Sequence, residues 1–255
     1  MLPKEHGAYG QLAFPLLTAL VIAGLTPASL LTVLAVVALF LAHEPMLVLL
    51  GHRGARVRTA EAHRAWWWLM AALVAGTTSA LLALDSMAPS FRWTFIAPLI
   101  PAAWVAVAVA TGREKTTLGE TAAAMAFAAA ALPICAAAGR PAIGGAIALA
   151  FGLLFVLATL AVRVVILRTR GGGNPNAVRR TRAAVVAIAG AGALTAFVAA
   201  SDGVLAPATV TATVPGVLFV IALAAFPPPA ARLKRVGWTL VGVSALTSVL
   251  LIAAA

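Results

Sequence analysis

The sequence has few charged residues, and most of those it has are of one sign. Charged side chains make up 10% of the 255 residues, against about a quarter in a typical soluble domain. Seven Asp and Glu residues stand against eighteen Lys and Arg residues, so the formal net charge is +11. Together with 63% hydrophobic residues and a mean hydropathy of +1.05, this scarcity excludes both a soluble globular domain and a disordered chain.

The chain is equally poor in cysteine, since its single one, Cys135, lies within an apolar stretch. A disulfide framework and a cysteine-based zinc or iron–sulfur site all need more than one cysteine, so the sequence excludes them. No aromatic–basic recognition motif accompanies the positive charge, and we expect no nucleic-acid partner. In so apolar a chain, the basic residues indicate first which side of a membrane the loops face.

Long apolar runs are what the sequence does have. The hydrocarbon core of a bilayer is about 30 Å thick, so a helix rising about 1.5 Å per residue needs about 20 apolar residues to cross it. Runs such as residues 30–41 show no alternation of apolar and polar residues, which excludes the strands of a membrane barrel. We predict one all-α integral membrane domain over residues 1–255, with nine spans at about 10–25, 29–50, 66–85, 93–111, 119–138, 143–167, 183–201, 207–226 and 236–254.

Lys and Arg residues collect at one end of these predicted spans, while the opposite end holds only Arg92 and Arg140. Because cytoplasmic loops carry the excess of Lys and Arg, we predict that the basic end faces the cytoplasm, with the N-terminus inside and the C-terminus outside. The two longest loops are predicted at this end, over residues 51–65 and about 168–182. The basic residues there are Lys4, Arg53, Arg56, Arg58, Arg64, Arg113, Lys115, Arg163, Arg168, Arg170, Arg179, Arg180, Arg182, Arg232, Lys234 and Arg235.

An ionisable pair interrupts the second predicted span near its basic end. His43 lies seven residues before Leu50, which places it about 10 Å deep at the helical rise per residue. An ionisable side chain at that depth is costly and faces protein or a wet cavity, so we interpret His43 and Glu44 as candidate catalytic residues. Pro45 would free a backbone carbonyl beside them. The structural alternative is that Glu44 pairs with an arginine such as Arg163 and only holds helices together.

A second polar segment precedes the first span. Residues 2–11 bring a base, an acid and an imidazole, Lys4, Glu5 and His6, to the start of that helix. Glycines in the same segment would allow a ligand or a neighbouring backbone to approach closely. The alternative is an interfacial anchor at the level of the lipid headgroups. The residues alone support the two interpretations equally.

A third polar segment, residues 112–120, contains Arg113, Lys115 and Glu120. It resembles a phosphate-binding loop only faintly, because a preceding strand and the Gly-Lys-Thr order are absent. Threonines ahead of Glu120 are alternatively predicted to cap the fifth span. Glu120, just inside that span, is the second candidate for a buried acid.

These polar segments are predicted to meet at the basic end. His43 and His52 are nine residues apart, about 180° around an ideal helix, so one helix face cannot present both. Several helices together could still hold a metal, but we predict no metal ligand, and the sequence identifies no cofactor. The predicted catalytic residues are Glu44, His43 and Glu120, and the predicted substrate-binding residues are Lys4, Glu5, His6, His52, Arg53, Arg56, Arg113, Lys115, Arg163 and Arg168.

Some of these motifs carry a family resemblance. Residues 2–8 (LPKEHGA), together with 43–45 (HEP) and 51–54 (GHRG), resemble the YwiC-like family of bacterial membrane proteins. The resemblance spans most of the chain, and the two N-terminal motifs are fairly specific. It implies a multipass protein of the bacterial cytoplasmic (inner) membrane.

A weaker similarity links the chain to the UbiA superfamily of intramembrane prenyltransferases. It rests on nine predicted helices, on polar loops after the second and sixth spans, and on residues 118–120 (LGE) opening the fifth. It implies a helical bundle open to lipid, with a polar cap over an isoprenoid-diphosphate pocket. Neither loop here contains the aspartates that bind magnesium and diphosphate in that superfamily, so only the architecture carries over.

Three classes of function follow from the sequence. The first is an intramembrane enzyme or binder acting on an anionic lipid, for instance an isoprenoid lipid, whose headgroup is held by Arg and Lys side chains. The second is a proton-coupled transporter, although the paired broken helices of repeated halves are not evident. The third is a non-catalytic membrane assembly subunit. Membrane lipids are the expected partners, and the sequence does not fix an oligomeric state.

Overall fold

The computed structural model describes residues 6–169 and 175–255, and this part of the chain consists of α-helices and short turns without any strand. Two 3₁₀ turns, Pro89–Phe95 and Ala230–Arg232, precede α4 and α10. The helices are α1 His6–Ala23, α2 Pro27–Leu49, α3 Ala55–Ser86, α4 Ile96–Ala110, α5 Thr117–Ala129, α6 Ala131–Ala137, α7 Pro141–Thr169, α8 Pro175–Ser201, α9 Pro207–Ala225 and α10 Leu233–Ala253.

The apolar helices agree with the nine predicted spans. Eight helical segments of the described chain are long and apolar enough to cross a membrane, and residues 7–23 of α1 form a shorter apolar helix. In this count α5 and α6 make one rod, and the 3₁₀ turn before α4 extends that helix. The prediction of an all-α polytopic membrane protein is therefore confirmed.

The predicted loop over residues 51–65 is wrong. Helix α3 begins at Ala55 and is 32 residues long, so only residues 50–54 connect it with α2. The first turns of α3 are rich in Ala and Arg, which favour helix, and Glu61 and Arg64 form an ion pair about one turn apart at 3.7 Å. Polarity marks where the membrane ends but does not end the helix.

The predicted loop over about 168–182 is also largely helical. Helix α7 continues to Thr169, and α8 begins at Pro175. Proline suits the first position of a helix because its φ is already helical and it has no N–H to satisfy. Arg179, Arg180 and Arg182 therefore lie in the first turns of α8, and Arg170 lies outside the described residues.

Contacts between helix ends show that the rods alternate in direction. His52, which follows α2, lies 3.8 Å from Glu114, which precedes α5. Arg182, near the start of α8, donates to the Ala224 carbonyl oxygen at the end of α9 at 3.0 Å, and this contact lies at the same end of the bundle. Near the opposite end, Arg140 donates to the Ile22 carbonyl oxygen of α1, also at 3.0 Å. We call the end that contains His52 the basic end.

Helix α7 is the most buried of the long helices and packs against α5, α6, α8 and α9. Small residues bring neighbouring backbones close together: a Cβ added to Gly144 would lie 2.8 Å from the Ala131 carbonyl oxygen, and one on Gly76 would lie 3.3 Å from Ala38 Cβ. Such close approach drives helix association in membranes, where lipid removes the hydrophobic driving force. At the edges of the bundle, α3 packs chiefly on α2, and α4 chiefly on α5.

Candidate functional site

Helix α2 ends in a tight turn that directs the chain back toward the helix. The N–H of Gly51 donates to the Val48 carbonyl oxygen at 3.0 Å, and that of His52 donates to the Leu47 carbonyl oxygen at 2.9 Å. This pair of hydrogen bonds is a Schellman motif, whose first residue after the cap is left-handed. Gly51 has a φ of +81°, which a residue with a Cβ adopts only at a cost. The turn thereby brings Arg53 beside α2.

Arg53 pairs with Glu44 in the geometry of a planar fork. Its Nε donates to Glu44 Oε1 at 2.9 Å, and its Nη2 donates to Oε2 at 2.5 Å. Glu44 is only 4% exposed, so the ion pair compensates a carboxylate that the bundle buries. The sequence alternative in which Glu44 pairs with an arginine is therefore observed, with Arg53 as the partner in place of Arg163.

An aromatic cluster fixes the same face of α2. Phe40 lies one turn before Glu44 and so points to the same side of the helix. Its ring makes T-shaped contacts with Tyr9 of α1, with centroids 5.2 Å apart, and with Phe127 of α5, with centroids 5.6 Å apart. The Glu44 face of α2 is thus directed at α1 and α5, and not at lipid.

Helix α4 ends in a second turn of the same kind. Gly112 has a φ of +69°, and the N–H of Arg113 donates to the Ala108 carbonyl oxygen at 2.7 Å. Both belong to a Schellman motif, as at the end of α2. The exposed side chains of Arg113 and Lys115 lie on the short connection that follows it.

The second turn is packed tightly onto the start of α5. Thr116 caps this helix by accepting a hydrogen bond from the Gly119 N–H at 3.2 Å, which agrees with the predicted capping role of the threonines. A Cβ on Gly119 would lie 2.5 Å from the carbonyl oxygen of Glu114, closer than real Cβ atoms come. Glycine at this position lets the turn rest directly on the helix.

The two turns contact each other. His52 Nδ1 lies 3.8 Å from Glu114 Oε2, and the two side chains are 24% and 17% exposed. A Cβ on Gly112 would lie 3.9 Å from His52 Cε1, and one on Gly51 would lie 3.6 Å from Arg58 Cδ, so Arg58 covers the first turn. The Oε2 atom of Glu114 is buried and has no hydrogen-bond partner among the described residues.

We call residues 50–54 and 111–116, with Glu44, Arg56 and Arg58, the paired-turn site. It holds four exposed cations that have no ion-pair partner within the described ranges, whereas Arg53 is neutralised by Glu44. The site therefore carries an excess of positive charge where the membrane helices end, which suits an anion such as a phosphate. The four cations are Arg56, Arg58, Arg113 and Lys115.

The predicted residues outside these turns are distributed more widely. Glu120 is exposed, so the prediction of a buried acid there is wrong, because it lies in the first turn of α5 and beyond the bundle's packed interior. No hydrogen bond or ion pair joins Arg163 or Arg168 to the paired-turn site in the described chain. His43 and Arg163 are half-buried, Arg168 is exposed, His6 begins α1, and Lys4 and Glu5 lie outside the described residues.

Glu114 is the acidic residue that the sequence reasoning missed. It lies within the predicted polar segment, between Arg113 and Lys115, but only those two residues and Glu120 were predicted to belong to the site. The usable signal was Gly112, since a glycine after an apolar helix predicts a left-handed cap and a chain that turns back. Groups of three or more His, Cys, Asp or Glu side chains that could hold a metal do not occur among the described residues.

Comparison with known proteins assigns the family. A family model described as YwiC-like protein matches residues 2–135. The chain belongs to the YwiC-like family. The matched region extends into α6 and contains Glu44 and both turns of the paired-turn site, while α7 to α10 follow it. No curated protein and no solved structure matches the chain, so the similarity to the UbiA superfamily stays a prediction.

Proposed function

We propose that this YwiC-like protein binds the anionic headgroup of a membrane lipid at the paired-turn site, on the cytoplasmic side of a bacterial inner membrane. The observation that supports the proposal is the group of four exposed, unpaired cations around two packed turns. A planar guanidinium matches two phosphate oxygens at once, and an ammonium adds a mobile point charge. Anionic lipids also attract basic segments at the cytoplasmic surface.

The two kinds of charged residue in the site have different roles in this proposal. Both oxygens of Glu44 accept hydrogen bonds from Arg53. This pair therefore positions the turn at the end of α2, residues 50–54, and does not contact the lipid. Arg113 and Lys115, on the turn at the end of α4, contact the headgroup. Arg56 and Arg58 add to the positive electrostatic potential that attracts it. The predicted substrate-binding role of Arg53 and the predicted catalytic role of Glu44 are thereby replaced by positioning roles.

A catalytic function of the same site rests on a different observation. The buried Oε2 of Glu114 has no hydrogen-bond partner among the described residues and lies 3.8 Å from His52 Nδ1. A carboxylate and an imidazole at this distance are a suitable acid–base couple for a lipid held by the adjacent cations. In the enzyme form of the proposal, His52 and Glu114 therefore act as the acid–base couple, in place of the predicted His43 and Glu44.

Lipid retention tests the proposal. The protein is purified in a mild detergent, and retained lipids are quantified by mass spectrometry for the wild type and for the double variant Arg113→Gln/Lys115→Gln. We expect the anionic lipid to be enriched on the wild type and to fall at least tenfold in the variant, since the loss of even one direct hydrogen bond to a charged phosphate costs about 1.5 kcal/mol.

The matched control is Arg179→Gln/Arg180→Gln, which removes the same charge from exposed positions of α8 at the basic end. We expect this variant to retain anionic lipid as the wild type does. Equal losses in both double variants would mean that net charge alone attracts the lipid, and the proposal of a specific site would be abandoned.

A further inference from the structure

An open apolar groove runs between α4 and α5 on the side of the bundle. It encloses about 650 Å³, and exposed Ile100, Trp104 and Val107 of α4 and Leu118 and Met125 of α5 lie along it. Its lining is almost wholly hydrocarbon, with the Thr121 hydroxyl bonded to its own helix at the Thr117 carbonyl oxygen. Such a surface is suited to a hydrocarbon chain.

The groove has the length of one leaflet. Its lining on α4 extends from Ala97 to Val107, and its lining on α5 from Leu118 to Ala129. At the helical rise per residue, each wall is about 15 Å long, which is half the thickness of the hydrocarbon core. A longer chain would have to leave the groove or pass Met125, which also lines a second cavity of about 340 Å³ among α5, α7, α8 and α9.

The basic end of the groove opens at the second turn. Val107 is in the last turn of α4 and Leu118 in the first turn of α5, so the connection that carries Arg113 and Lys115 crosses this end. A chain in the groove would therefore place its polar head beside two unpaired cations. Apolar surface and positive charge are arranged in the order in which an anionic lipid presents its chain and its phosphate.

We propose that the α4–α5 groove holds one acyl chain of an anionic phospholipid whose phosphate is bound by Arg113 and Lys115. This inference rests on the proposed function and adds to it the class of lipid and the path of its chain. The match between groove length and leaflet depth selects an ordinary acyl chain over a long isoprenoid chain. The ion pair of Glu44 and Arg53 keeps the first turn in contact with the second, and so keeps the headgroup position formed.

Photocrosslinking tests the path of the chain in the intact protein. The protein is reconstituted in phosphatidylcholine vesicles with phosphatidylglycerol that carries a diazirine midway along one acyl chain, and crosslinked peptides are mapped by mass spectrometry. We expect crosslinks to concentrate on residues 97–107 and 118–129, and to decrease at least fivefold with excess unlabelled phosphatidylglycerol. Crosslinks spread evenly over the lipid-facing residues of α3 and α8 would overturn the proposed path.

Two variants separate the groove from the bilayer around it. Ala122→Trp places a large side chain in the groove, and Val74→Trp places the same side chain at a 65% exposed position of α3 outside it. We expect a loss of groove crosslinks of at least fivefold in Ala122→Trp and no change in Val74→Trp. Unchanged crosslinking in Ala122→Trp would contradict the inference.

A short-chain probe distinguishes the failure of this inference from the failure of the proposed function. Binding of dihexanoyl phosphatidylglycerol should depend on Arg113 and Lys115 but be unaffected by Ala122→Trp, since its chains are too short to fill the groove. If that binding does not respond to Arg113→Gln/Lys115→Gln, the headgroup site itself is wrong. If that binding does decrease in the double variant but the crosslinks do not concentrate on the groove residues, only the acyl-chain assignment is wrong. The same conclusion follows if a polyprenyl phosphate displaces the diazirine lipid better than phosphatidylglycerol does.

Discussion

Arg53 donates hydrogen bonds to both carboxylate oxygens of Glu44, across nine positions of the chain. The carboxylate is one turn inside α2, and the guanidinium belongs to the turn beyond that helix. A buried carboxylate without a partner is costly in a membrane helix. Without Glu44, nothing on α2 would accept these hydrogen bonds from Arg53 and hold the turn beside the helix. The pair therefore stabilises both the helix end and the position of the turn that contacts α5.

Removal of one member of this pair should destabilise the protein more than removal of both. Arg53→Gln removes the guanidinium that binds the buried Glu44 carboxylate, and Glu44→Gln removes the carboxylate that Arg53 binds, so we expect each to cost about 3 kcal/mol, the lower range for a broken buried pair. The double variant should lose less stability than either single variant does. Reversible unfolding in mixed detergent micelles measures the three free energies.

The exposed pair of Glu61 and Arg64, 3.7 Å apart on α3, is the matched control. Neutralising both residues should change the free energy of unfolding by less than about 0.5 kcal/mol. Additive effects at Glu44 and Arg53, with no coupling between them, would contradict the role given to the pair.

Coupling between His52 and Glu114 should be weaker than that between Glu44 and Arg53. The His52 and Glu114 side chains are further apart, at 3.8 Å, and each is partly exposed. We expect a coupling energy below about 1 kcal/mol from the cycle of His52→Ala, Glu114→Ala and the double variant. A coupling as large as that of the first pair would show that this contact, and not Arg53, holds the two turns together.

Gly119→Ala should displace the second turn. The added Cβ would lie 2.5 Å from one backbone oxygen and 2.9 Å from another, and backbone atoms cannot rotate away as a side chain does. We expect a loss of about 2 kcal/mol in the free energy of unfolding from this overpacking, in spite of alanine's better helix propensity. Retention of anionic lipid should decrease with it.

Gly237→Ala on α10 is the control, because a Cβ there meets nothing within 4 Å. This substitution should leave lipid retention unchanged and raise stability slightly, by up to about 1 kcal/mol. If Gly119→Ala behaves like Gly237→Ala, the second turn is free to move and is not a fixed binding element.

Cysteine labelling tests the orientation in the membrane. Cys135 is the chain's single cysteine, so in a Cys135→Ala background the only reactive thiols are those that are introduced. Cys135 is buried, and alanine is a small apolar replacement for it. We predict that Arg56→Cys and Arg179→Cys react with an impermeant maleimide in inside-out vesicles, and that Arg92→Cys and Asp202→Cys react in right-side-out vesicles. The reverse pattern would place the paired-turn site on the outer face and remove the cytoplasmic assignment.

Much of the fold is predictable because a bilayer imposes a length on every apolar run. Each predicted span overlaps a helix. Glu44 could be singled out as well, because a carboxylate within an apolar run is costly to bury unless another group pairs with it. The start of α3 was not predictable in this way. Its first turns contain too many Arg residues to continue an apolar run, but Ala and Arg both have high helix propensity.

The partners within the site were less predictable, because they depend on backbone turns and not on helical periodicity. Arg53 reaches Glu44 only through the left-handed Gly51, and Glu114 meets His52 only because Gly112 forms the same kind of turn. Periodicity gives the face of a residue inside a helix, but it does not give the direction of a side chain beyond a cap. Arg163 was therefore suggested as a partner where Arg53 is found.

The distance between lipid phosphorus and basic side-chain nitrogen tests the central claim most directly. Solid-state NMR dephasing between ³¹P of phosphatidylglycerol and ¹⁵N of labelled Arg and Lys side chains detects such contacts in a bilayer. We predict equal dephasing in the wild type and in Arg179→Gln/Arg180→Gln, and a clear decrease in Arg113→Gln/Lys115→Gln. Dephasing that stays at the wild-type level in the last variant, or decreases equally in the two variants, would contradict a headgroup site at the paired turns.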